Sequence, residues 1–163
     1  MADVDAIAEL RDGTEVGAWM FKARPDVWDI ATALRDRSGL DSWRMADSYR
    51  VELIAPGQPC ALWVTGPATG TPTPGVWAIG HITSEPYEDQ GDPDDELWSD
   101  EGARRQFRPY VTVGLEVLEL PITRAELRSD PRFESAEILV APRVASPVAL
   151  RPREWSAILD RIA

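Results

Sequence analysis

The 163-residue chain is poor in reactive side chains: it has one cysteine (Cys60), one histidine (His81) and one lysine (Lys22). A lone cysteine leaves no intramolecular disulfide and suits a reducing compartment. With a single histidine beside it, the ligands of a zinc site are lacking. Neither residue has a third group in register to orient a nucleophile and its base. Asp92, Asp94 and Glu96 copy the start of a calcium loop, but the glycine at the sixth position and the glutamate at the twelfth are missing. No phosphate-binding glycine loop occurs, because Gly66 and Gly70 are followed by neither a lysine nor a helix. These absences predict a protein without catalysis, metal or cofactor.

Long apolar runs are missing too. None approaches the roughly 20 residues of a membrane span, and the acidic N-terminal stretch lacks the basic and apolar regions of a secretory signal. A cytoplasmic protein is expected. Positive charge is also scarce: 17 Lys and Arg against 28 Asp and Glu give a net charge of −11. Such a balance argues against holding a duplex through its phosphates. The acidity is local. Residues 88–101 carry Glu88, Asp89, Asp92, Asp94, Asp95, Glu96, Asp100 and Glu101 with no basic residue, and without them the chain is close to neutral. That segment reads as a solvated surface loop, which could also dock on a basic protein partner.

What is abundant is tryptophan, with seven against three Phe and three Tyr. Trp19, Trp63 and Trp77 lie in short apolar runs that read as strands and suit a core. Trp43 lies in the polar stretch Leu40–Arg44. A half-exposed indole with one free face would suit stacking there, since burial would leave Ser42 and Arg44 poorly hydrated. Trp28, off the apolar stripe of a helix, and Trp98, in the acidic segment, read as caps on hydrophobic surface.

The length fits one domain with a single core. Residues 1–16 read as a loosely attached arm. Residues 18–23, 60–65, 76–83 and 108–120 read as strands of a curved, mostly antiparallel sheet, with Gly80 marking a bulge or a close backbone approach. Val27, Ile30, Ala31 and Leu34 keep helical spacing, and Pro152 opens a C-terminal helix. Short helices are expected near 123–129 and 133–139, and the Gly- and Pro-rich 66–75 is a hairpin loop. The class is α+β with a barrel-like sheet.

An ordered series of motifs runs through these elements. Trp19 to Pro25 ends a strand in Lys22, Ala23 and Arg24; Trp43 is followed six residues on by Tyr49. A Pro56-Gly57-Gln58 turn introduces the strand ending in Trp63, Val64, Thr65 and Gly66. The strand Gly75–Gly80 and the pair Pro86-Tyr87 come after it. The series resembles the EVE domain, a member of the PUA-like superfamily that includes the YTH readers of methylated adenine. The resemblance implies a PUA-like curved β-barrel flanked by helices over residues 17–163. It also implies an aromatic pocket for a modified base, extruded or single-stranded, in DNA or RNA. By family position Lys22, Ala23 and Arg24 form its floor, Trp43 the stacking platform and Tyr49 a wall, with Arg50 beside it. Trp63, Thr65 and Gly66 form the opposite rim. Two departures stand out: Asp47 and Ser48 precede Tyr49 where basic or amide residues are usual, and Gln58 replaces an acid. The first makes a free nucleoside or another small aromatic ligand the second reading.

Overall fold

Short apolar runs, with period-two alternation only in the last long strand, build the sheet in the computed structural model, which describes residues 4–162. In chain order the strands are β1 Ala8–Glu9, β2 Glu15–Val16, β3 Ala18–Ala23, β4 Ser42–Arg44, β5 Pro59–Val64, β6 Gly75–Ile82, β7 Tyr87–Asp89, β8 Arg108–Thr123 and β9 Val148–Leu150. The helices are α1 Ile30–Asp36, α2 Glu101–Arg105, α3 Arg124–Arg128, α4 Glu137–Val140 and α5 Pro152–Asp160, with a 3-10 turn at Tyr49–Leu53. Seven strands form one curled sheet in the order β4-β8-β6-β5-β3-β9, with β7 also paired to β8. All pairs are antiparallel except β3 with β5, where Lys22 lies opposite Trp63. The four expected strands are thus neighbours in one α+β, PUA-like sheet.

Both faces of the central strands are covered, so their sequences read as nearly continuous apolar runs. Trp19, Phe21 and Ala23 of β3 and Cys60, Leu62 and Val64 of β5 point to one cluster, with Ile30, Ala33, Leu34, Trp43 and Met45. The residues of opposite parity, Met20, Ala61 and Trp63, point to a second cluster with Leu127, Phe133, Ile138, Trp155 and Ile158. The sheet therefore divides what was expected to be a single core into two layers. The described part of the N-terminal arm also differs from expectation. It folds as the β1–β2 hairpin, whose Leu10 and Val16 are buried in the first cluster, and Gly17 N donates to Leu150 O at 2.6 Å. Apolar burial outweighs the hairpin's short length.

Local chemistry fixes the element ends. Asp29 caps α1 by accepting from Thr32 N, and Arg37 leaves the helix in the left-handed conformation before Gly39. Gln58 accepts from Trp19 Nε1 and Ala55 N, each at 2.9 Å, and donates from Nε2 to Leu53 O at 3.0 Å. A carboxylate could make the first two bonds but not the third. Gly80 lies where β6 runs closest to β8: a Cβ there would collide with the Gly114 carbonyl oxygen. The close approach is real, while the register shifts of β6 fall elsewhere, beside Trp63 and Trp77. Gly80→Ala is expected to destabilise the protein by at least about 1–3 kcal/mol through overpacking. Urea unfolding measures this, and an unchanged midpoint would contradict the strand contact.

Candidate ligand pocket

The sheet ends at β4 on one side and β9 on the other, and it is not closed between them by a ladder. Isolated hydrogen bonds span the seam. Trp43 Nε1 donates to Lys22 O at 3.3 Å and Ala46 N donates to Ser146 O at 2.9 Å, while on the β3–β9 side Lys22 N donates to Ser146 Oγ at 2.8 Å. Over this seam opens a cavity of about 1150 Å³. Its walls are the end of β3, strand β4, the loop 142–146 after α4, and the acidic segment between β7 and α2.

Aromatic surface dominates one end. Trp28 meets Trp43 edge to face, with ring centres 5.7 Å apart, and Trp98 and Tyr110 complete the lining. Arg44 organises them. Its guanidinium lies 4.7 Å from the Trp98 ring centre, and Nε donates to Tyr110 Oη at 3.0 Å. Nη1 and Nη2 donate to the carbonyls of Ala103, Arg104 and Gln106, at the C-terminal end of α2. A helix end leaves such carbonyls without partners. Arg44 therefore satisfies α2 and stacks on the segment before it. Burial raises the Tyr110 hydroxyl above its ordinary range, against the opposing pull of Arg44.

Residues 88–101 form a wall of this cavity and are not simply a solvated loop. Asp95 accepts from Trp28 Nε1 at 2.8 Å, Asp29 N donates to Leu97 O at 2.7 Å, and Ser99 N donates to Val27 O at 2.9 Å. Gly91 sits so close to Trp98 and Arg104 that a Cβ would come within 2.7 Å of the indole. Asp89, Asp92, Asp95 and Asp100, with Asp41 just before β4, line the cavity beside an equal set of cations: Lys22, Arg24, Arg44, Arg108 and Arg143.

Of the residues singled out in the sequence, the structure brings Lys22, Ala23, Arg24, Trp43 and Thr65 together at the cavity. Four are elsewhere. Trp63 is buried on the opposite face of the sheet, as its parity with Ala61 requires. Gly66 starts the hairpin loop with φ +142° and passes its carbonyl to Arg124 Nη1 at 2.9 Å. Tyr49 lies under the Arg11 guanidinium, 4.0 Å away, and its hydroxyl accepts from Arg11 N. Arg50 pairs with Glu137 at 2.7 Å.

Trp43 itself is 9 % exposed, not half-exposed. Burial does not strand its neighbours, because Arg44 is hydrogen-bonded by protein groups and needs little water. Lys22 differs as well. Its ammonium donates to Pro142 O at 2.9 Å and Val144 O at 2.7 Å, so it fastens the 142–146 loop. Burial first, and Arg24 second, lower its pKa. Trp28, Arg44, Trp98 and Tyr110 were missed as site residues. Arg108 and Tyr110, two apart on β8, share a face. An arginine beside Trp43 and a tryptophan among carboxylates were further signals.

The reactive side chains lie apart. Cys60 is buried, and burial pushes its thiol up to about 12. His81 is exposed on β6, opposite Pro59. Among the described residues no group of three His, Cys, Asp or Glu side chains is placed to hold a metal. No described helix is long and apolar enough to cross a membrane.

The EVE domain family model matches residues 17–161. No curated protein matches the chain. Among solved structures, a protein of Pseudomonas putida is similar at TM-score 0.63 and 18 % identity, covering 90 % of this chain and 99 % of its own. A hypothetical protein from Leishmania major is similar at 0.59 and 14 %, covering 90 % and 94 %. Human THYN1, solved in complex with 5-methylcytosine-containing DNA, is similar at 0.56 and 15 %, covering 88 % and 96 %. At these identities the likeness is one of fold.

Because Trp43 is a core residue as well as a lining one, Trp43→Ala is expected to cost about 3–5 kcal/mol of stability. Trp98→Ala, from a half-buried position on the acidic wall, is expected to cost less than half of that. Denaturant midpoints of both variants check this. Equal losses would contradict the assignment of Trp43 to the core.

Proposed function

The chain belongs to the EVE domain family, and we propose that it is a non-catalytic module that takes a modified base of DNA or RNA into the seam cavity. The lining carries this reading: Trp28, Trp43, Trp98 and Tyr110 stand around one cavity of about 1150 Å³. Pockets that bury a small organic ligand hold about 300–1,000 Å³, so a nucleotide with its flanking sugar and phosphate has room. The THYN1 complex with 5-methylcytosine-containing DNA supports the choice of ligand class.

Stacking on an aromatic face contributes about 1–3 kcal/mol per base without any phosphate contact. A methyl group buried against indole adds about 0.8 kcal/mol. Extrusion from a duplex costs a few kcal/mol. An acidic protein that gains little from phosphates therefore favours single strands. A second reading, a sensor of a free nucleoside, is favoured by one observation: the carboxylates in the lining are as many as the cations, so an uncharged ligand meets no net penalty.

The test is quenching of tryptophan fluorescence by single-stranded oligonucleotides, each carrying one modified base, beginning with 5-methylcytosine, against unmodified twins and free nucleosides. At least one modified strand is expected to bind about fourfold or more tighter than its twin, which is the effect of one methyl group. Trp98→Ala is expected to weaken that binding by at least about fivefold. Equal affinity across the panel, or binding untouched by Trp98→Ala, would contradict the reading.

A further inference from the structure

The cations of the cavity are not equivalent. Lys22 is engaged with two backbone carbonyls, and Arg44 with Tyr110 and the α2 carbonyls. Arg108 lies 3.9 Å from Asp47 and opposite Asp89 in the ladder. Arg24 keeps one exposed pairing, with Asp26 at 3.1 Å and both side chains more than 60 % accessible. Arg143 is exposed, and among the described residues its guanidinium has no hydrogen bond or ion pair. Arg24 and Arg143 lie on the side of the cavity formed by the end of β3 and the 142–146 loop. Asp89, Asp92 and Asp100 belong to the acidic segment, which meets the chain just after Arg24, where Ser99 Oγ donates to Asp26 O at 3.0 Å.

The backbone accounts for where Arg143 points. The carbonyls on either side of it, Pro142 O and Val144 O, are both turned inward to the Lys22 ammonium. Farther along the loop, Ser146 is held by Lys22 N and Ala46 N. The loop is pinned at each side of Arg143, which leaves that side chain at the cavity rim. From these placements we infer that Arg143, with Arg24 beside it, is the phosphate subsite of the cavity, and that a bound single strand enters and leaves along this rim.

This rests on the reading of the cavity as a base pocket. A guanidinium offers a phosphate paired N–H donors, and an exposed arginine gives up little to do so. A strand passing over the acidic segment would bring its phosphates within a Debye length, about 10 Å at 0.1 M salt, of Asp89, Asp92 and Asp100. The charge asymmetry thus sets the polarity of the ligand: base toward the indoles, phosphate toward Arg143. It also separates a nucleic-acid strand from a free nucleoside, which has no use for the rim.

The test compares Arg143→Gln with the unaltered protein, using a single-stranded oligonucleotide that carries one 5-methylcytosine, and free 5-methyldeoxycytidine. For the strand, the slope of log affinity against log salt is expected to become shallower by about 0.7, the counterions of one phosphate contact. Affinity for the nucleoside is expected to stay the same. Arg35→Gln, on the last turn of α1 and outside the cavity lining, is expected to leave both unchanged. An unchanged slope in Arg143→Gln would overturn the subsite, as would an equal loss for strand and nucleoside. Failure of the unaltered protein to bind either probe would overturn the base-pocket reading and the subsite with it.

Discussion

Between β4 and β3 the sheet has no ladder, and isolated hydrogen bonds bridge the gap, the indole N–H of Trp43 to the Lys22 carbonyl foremost and Ala46 N to Ser146 O beyond it. This unclosed seam is the constraint on which the cavity depends. A closed barrel would fill its interior with side chains. Here the two edges are held at one indole's reach, and the space above them is walled by loops. The same tryptophan serves both core and cavity, since it belongs to the buried cluster that holds Met45 and Phe21 and also lines the cavity. Removing it would harm fold and site together, so it is a poor probe of binding.

Arg44 and Lys22 act alike, at opposite walls. Each is a cation whose donors are turned to backbone carbonyls, and each fastens a segment that lacks a strand partner over the cavity: α2 with the acidic segment for Arg44, residues 142–146 for Lys22. Charged donors suit this task, because hydrogen bonds to ionised groups are worth about 1.5–3 kcal/mol, more than neutral ones. The acidic segment explains itself in the same terms. Its carboxylates accept from Trp28 Nε1 and from backbone amides of the segment and of α2, while Trp98 lies against Arg44. Its charge is distributed between structure inside and solvent outside.

The sheet was legible in the sequence because β3, β5 and β6 are short apolar runs flanked by Gly or Pro and β8 alternates over Val111, Val113, Leu115 and Val117, and both patterns register directly as strands. The short elements were not. β4 has three residues and sits in a polar stretch, and the β1–β2 hairpin has two residues per strand; both are held by tertiary contacts that local pattern does not carry. The site was half legible. Lys22, Ala23, Arg24, Trp43 and Thr65 lie at the seam, whereas Tyr49 and Arg50 serve the N-terminal hairpin and α4. Trp63 was misplaced for want of parity: one residue along a strand changes the face. The acidic wall was hidden by its composition, since a run of carboxylates reads as solvated until Asp95 and Trp98 are seen turned inward.

Seven tryptophans make the central claim, that the ligand enters the seam cavity, directly measurable. In a ¹⁵N-labelled sample each indole N–H gives its own signal. Titration with a single-stranded oligonucleotide carrying the preferred modified base should shift the signals of Trp28, Trp43 and Trp98, which line the cavity. The signals of Trp19, Trp63, Trp77 and Trp155, which lie outside the lining, should stay in place. Shifts confined to that second set, or spread evenly over all seven, would contradict the account.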